Sequence, residues 1–145
     1  MKVVFSYYED EDFGLTSYPD IIVEEGRKKS SKEIPHTDSK EIRNFRKYLI
    51  TGIMEDFQYV ELFDDFFGEL EKLERGEVEE VEWDGQAFQH KITEEKVEFT
   101  HTIFGECPEY PKWTCKYGEY KKILSGWRKF LKMPVNMKSK IEIYI

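Results

Sequence analysis

The chain has 145 residues, of which 39% are hydrophobic and 16% aromatic. That suits one domain with a sizeable core and excludes a disordered chain, which lacks the bulk to offset its entropy. The net charge of -8 disfavours nucleic-acid binding by the molecule as a whole, and two cysteines are too few for a disulfide framework. The longest purely apolar runs are a few residues, so no membrane-spanning helix is expected. Met1–Tyr8 carries no signal-peptide pattern, and the expectation is a cytoplasmic protein with free thiols at Cys107 and Cys115.

Taken in chain order, Lys2–Tyr8 is rich in Val, Phe and Tyr and predicts a strand. Asp10–Pro19, with Gly14, Ser17 and Pro19, predicts a loop. Asp20–Glu25 predicts a second strand ended by Gly26, with a helical turn as the competing assignment. Arg27–Pro35 is polar and basic, as in a flexible loop. Thr37 or Asp38 can cap a helix from Ser39 to about Ile50, with Ile42, Phe45, Leu49 and Ile53 on one face and Gly52 as a break.

Asp56–Arg75 predicts the clearest helix. Tyr59, Leu62, Phe63, Phe66, Leu70 and Leu73 recur at steps of three and four, and Gly76 follows as a C-terminal cap. Glu79–Ile103 predicts a meander. Val81-Glu82-Trp83 leads into a two-residue turn at Asp84-Gly85, followed by Gln86–Ile92, a turn at Glu94-Glu95, and Lys96–Ile103. These turns pair Val81 with Phe88, Phe88 with His101, His90 with Phe99 and Ile92 with Val97. One face then collects Val81, Trp83, Phe88, His90, Ile92, Val97, Phe99, His101 and Ile103. Phe104–Lys116 predicts a loop, Tyr117–Lys132 the last helix, and Lys140–Ile145 a terminal strand. The expected architecture is one α+β domain over 1–145, with a mostly antiparallel sheet of about five strands and three helices mainly on one face.

Charge is polarised along this layout. Residues 55–84 hold thirteen acidic side chains against two basic ones, a net of -11, while 112–140 hold nine basic against one acidic, a net of +8. Either the two segments fold together and partly cancel, or the acidic one is presented to a basic partner. Carboxylates crowded on one helix repel by about 0.2–0.5 kcal/mol per pair, so the crowding does not serve helix stability. The expected partner-binding residues are Glu61, Asp64, Asp65 and Glu69, with Glu79, Glu80 and Glu82 as a second patch.

No catalytic motif is present. His90, His101, Cys107 and Cys115 are the alternative candidates, for a metal or ligand site in a small enzyme or binding domain. The seven residues separating the cysteines do not match the close ligand pairs of zinc sites, and the histidines read first as half-buried sheet residues. No metal and no cofactor are therefore expected. The aromatics of the basic last helix lie on its apolar side, which fits a core face better than a base-stacking platform. A further possibility is an assembly subunit joined through the strand Ile141–Ile145.

The order of parts in residues 60–132 resembles small bacterial immunity proteins of the polymorphic-toxin and contact-dependent inhibition systems. The parts are an apolar helix closing at glycine (Leu70 to Gly76), a strand turn Trp83-Asp84-Gly85-Gln86-Ala87-Phe88, a strand Lys96-Val97-Glu98-Phe99, and a closing helix Tyr120–Leu131 containing Gly126-Trp127-Arg128-Lys129-Phe130. The resemblance implies a role and no catalytic residue: binding and blocking a cognate toxin domain, often a nuclease. Residues 1–55 lie outside it.

Overall fold

The computed structural model describes residues 2–22 and 40–145. The fold is α+β, with seven strands in two antiparallel sheets rather than one sheet of about five. In the first sheet, β1 (Lys2–Asp10) lies between β2 (Gly14–Ile22) and β7 (Lys140–Tyr144). The second sheet runs β3 (Val81–Asp84), β4 (Phe88–Ile92), β5 (Lys96–His101), β6 (Trp113–Lys116). Helical backbone covers Lys40–Asp56 as α1 (Lys40–Asn44), a π-helical turn (Phe45–Ile50) and α2 (Thr51–Asp56). The other helices are α3 (Glu61–Glu74) and α4 (Tyr117–Leu131).

β2 begins six residues earlier than expected and forms a tight hairpin with β1, Asp10 opposite Gly14. The Asp10 carboxylate accepts the backbone N–H groups of Asp12 and Phe13 and so closes the turn. Gly14 adopts a φ of 74°, a region that favours glycine. Pro19 is tolerated because β2 is an edge strand, where a missing N–H need not break a ladder. Residues 23–39, with the expected loop Arg27–Pro35 and the caps Thr37 and Asp38, lie outside the described residues.

Gly52 does not break its helix. A Cβ there would lie 3.2 Å from both Phe88 and Phe99, so its absence lets the helix press onto the second sheet. The break falls later, at 57–60. Phe57 leaves helical geometry, and its ring packs among Phe63, Phe66 and Trp83. Trp127 on α4 donates its indole N–H to the Phe57 carbonyl at 2.8 Å, supplying a buried acceptor with its partner.

The meander forms as expected from β4 to β5: Phe88 opposes His101, His90 opposes Phe99, and Ile92 opposes Val97. The β3–β4 register differs. Val81 pairs with Ile92 instead of Phe88, and Asp84 with Gln89, so three residues, 85–87, connect the strands, and Gly85 donates its N–H to the Phe88 carbonyl at 2.9 Å. The shift is even, and the inward face is preserved. β6 was expected to be loop; Cys115 pairs with Val97 and Trp113 with Phe99, which extends the sheet.

The helices pack on the inward face of the second sheet, where Val81, Phe88, His90, Ile92, Val97 and Phe99 are buried. α4 bridges the two sheets. Tyr120 meets His90 and Phe99, whereas Trp127 and Phe130 meet Phe5 of β1. Each aromatic buries a large apolar area, and these rings carry much of the core.

Candidate functional site

The acidic helix α3 begins at Glu61, five residues later than its sequence pattern suggests. Phe63, Phe66, Leu70 and Leu73 point into the core. The remaining surface divides into two flanks. Asp64, Phe67 and Glu74 face α4, which runs antiparallel alongside. Arg128 donates to Asp64 and lies 4.9 Å over the Phe67 ring. At the other end Lys121 pairs with Glu74, which also accepts the Tyr117 hydroxyl at 3.1 Å. The Lys121 contact, with help from Tyr117, holds the Glu74 carboxyl below its ordinary value. The acidic and basic segments therefore do meet and partly cancel, along this one seam.

The other flank carries Glu61, Asp65 and Glu69 at steps of four, on one helix face. Glu69 is paired with Lys72 at 3.1 Å. Glu61 and Asp65 have no ion pair among the described residues. Beside them stand two side chains expected in the core, Tyr59 and Leu62. They are 64% and 39% exposed. Tyr59 precedes the real helix start, so it never joins the helical stripe, and Leu62 lies at the stripe's edge, where none of the described elements covers it. With Trp83, Asp84, Gly85 and Glu55 they line a cleft of about 190 Å³. The Trp83 indole N–H is shielded from solvent and has no acceptor among the described residues.

The second expected patch is not continuous with this flank. α3 packs against β3 on the Trp83 side, with the Phe66 and Trp83 rings 5.1 Å apart. Glu82 alternates with Trp83 and projects from the opposite face, opposite Lys91 in the ladder. Glu80 pairs with Lys91 at 3.5 Å. Glu79 is exposed without an ion pair among the described residues. Of the seven expected residues, all exposed, the fold groups Glu61, Asp65 and Glu69, ties Asp64 to α4, and leaves Glu79, Glu80 and Glu82 apart.

The alternative site is not assembled. His90 is wholly buried and its ring is fully engaged. Nε2 lies 2.7 Å from Asp56 Oδ2, and Nδ1 lies 2.9 Å from the Tyr120 hydroxyl. A carboxylate only accepts, so Nε2 carries the proton and Nδ1 accepts from Tyr120. The Asp56 carboxylate also takes the backbone N–H groups of Ala87 at 2.7 Å and Phe88 at 3.2 Å. Burial holds the His90 pKa below its ordinary value, against the opposing pull of Asp56. Tyr120 is pushed well above its ordinary value, chiefly by burial. This Asp–His–Tyr chain has the order of a catalytic relay, but Tyr120 and His90 have no exposed surface at which to meet a substrate.

His101 turns its Nδ1 to the backbone N–H groups of Ile103 and Phe104 and stacks against Phe104 and Tyr110. Cys115 is buried in β6 with its thiol pKa pushed up by burial, and Cys107 sits in the loop that turns back at Tyr110; both are free. Among the described residues no three His, Cys, Asp or Glu side chains are grouped to hold a metal ion.

Nothing local distinguishes Asp56, because the sequence pattern makes it the first residue of the acidic helix, one carboxylate among thirteen. In comparisons with family models, curated proteins and solved structures, nothing matches this chain. Among the described residues no helix is long and apolar enough to cross a membrane.

Proposed function

We propose that this chain is a non-enzymatic inhibitor, a cytoplasmic immunity protein of a bacterial toxin system, that binds a basic toxin domain through the outer flank of α3. A nuclease is the expected class of toxin, because its active cleft must be basic to hold polyphosphate. A row of carboxylates imitates that charge, speeds encounter by long-range attraction, and occludes the cleft.

One observation carries the reading. Tyr59 and Leu62 are exposed directly beside the ion-pair-free carboxylates Glu61 and Asp65, at the mouth of the Trp83 cleft. Apolar and aromatic anchors rimmed by charge are the usual composition of an energetic centre in a protein interface. A merely solvating face needs none of these. The enclosure of His90 weighs against the enzyme reading, and no cofactor enters this one.

The test is to search the neighbouring genes for a toxin reading frame and to titrate this chain against the toxin domain so found, at low and high salt. The expected result is tight binding, weakened through the association rate as NaCl rises from about 50 mM to about 500 mM. Binding that ignores ionic strength would overturn the acidic-face mechanism.

A further inference from the structure

We infer that the groove between β7 and α4 is a second docking site, which takes an extended acidic peptide as an added strand on the first sheet. It is independent of the inhibitor reading above, since it uses other residues and the opposite charge.

Among the described residues β7 is the outer strand of its sheet, and no described strand pairs the backbone groups of its other side. Alongside runs the outer face of α4, and the two enclose a groove of about 860 Å³. Its floor is apolar: Ile141 and Ile143 lean on α4 at Gly126, where a Cβ would stand 2.0 Å from Ile143 Cδ1. A sheet edge beside a helix is the geometry by which folded domains accept a peptide strand. Main-chain hydrogen bonds then supply affinity, and the flanking side chains read alternate residues.

The charge of the walls selects the occupant. Lys121, Lys122, Lys129 and Lys140 line the groove against only two carboxylates, Glu74 and Glu142. Lys121 and Lys140 pair with those two. Lys129 has no ion pair among the described residues. The Lys122 ammonium reaches across to the Tyr144 carbonyl at 3.3 Å, so a helix side chain already bonds the backbone of the edge strand. An arriving strand with carboxylates on the α4 side meets Lys122 and Lys129, and its backbone amides meet the edge. A second copy of this chain would bring a groove of the same net positive charge to the joint, which disfavours pairing of β7 with β7.

The experiment uses the full chain labelled with 15N and two soluble eight-residue probes, one alternating valine with glutamate and one alternating valine with lysine. The expected result is that the glutamate probe shifts the amide signals of residues 140–144 and of the outer face of α4, and the lysine probe does not. Affinity for the glutamate probe should fall about tenfold in Lys122→Glu with Lys129→Glu. Glu142→Pro, which alters the edge backbone, should abolish the shifts. If that variant fails to fold, the lysine double variant, exposed on a helix, still decides the matter. Equal shifts with both probes, shifts elsewhere, or affinity unchanged in the lysine double variant would overturn the proposal. So would concentration-dependent dimerisation that broadens residues 140–144 without a probe.

Discussion

Gly85 leaves the space that the Asp56 carboxylate fills: a Cβ on Gly85 would stand 2.0 Å from Asp56 Cγ. That carboxylate cannot move aside cheaply, because it holds the Ala87 and Phe88 amides and the His90 ring at once. It also shapes the β3–β4 turn. Gly85 donates its N–H to the Phe88 carbonyl, while the Ala87 and Phe88 amides turn onto the end of α2, so one carboxylate joins the first helical stretch to the second sheet.

Gly85→Ala should therefore destabilise the fold, by about 1–3 kcal/mol from overpacking alone. Asp56→Asn should cost at least as much, about 3 kcal/mol, because it replaces one of two acceptor oxygens by a donor facing donors in a buried site. Urea unfolding of both variants checks the order. A neutral Asp56→Asn would mean the carboxylate is not holding the hairpin.

Stability should fall as the pH drops below about 6.5, the ordinary histidine value. Burial lowers the folded-state pKa of His90, so the unfolded chain binds the proton first, and stability is present above the unfolded value and lost as pH falls towards the folded one. Melting temperatures across that window, compared with His90→Gln, isolate the effect. The variant will be less stable throughout, but its slope should be shallower. An unchanged slope would show that another group is responsible.

The two neighbouring aspartates should behave differently. Asp64 is held by Arg128, a partly exposed pair worth about 0.2–1 kcal/mol, and Asp64→Asn should lower stability by that much. Asp65 has no ion pair among the described residues, so Asp65→Asn should leave stability unchanged and, on the proposed function, weaken partner binding. A thermal melt beside a binding titration separates the two. Loss of stability in Asp65→Asn with affinity intact would remove the outer flank from the interface.

Tyr59→Ala and Leu62→Ala should leave the melting temperature nearly unchanged, since neither side chain belongs to the core. Each should weaken partner binding by about 1–2 kcal/mol or more if it anchors the interface. Surface plasmon resonance on the folded variants gives the answer. If both bind like the parent chain, the Trp83 cleft is not the anchor.

Local pattern was enough to place most elements of this chain. The alternation from Gln86 to His101 fixed the β4–β5 register, because a two-residue period and a short turn leave little freedom there. The stripe Phe63, Phe66, Leu70, Leu73 fixed which side of α3 is buried, since a helix repeats every 3.6 residues. The crowding of acid in 55–84 was equally plain. Three things rested on contacts between residues far apart in the chain. The split into two sheets depends on β1 pairing with β7, more than 130 residues away, and no local period encodes a partner. The exposure of Tyr59 and Leu62 follows from a helix break that Trp127 holds from 70 residues away. Asp56 became distinct from its twelve acidic neighbours only when folding carried it out of water, where a carboxylate must find donors and takes them from Ala87, Phe88 and His90.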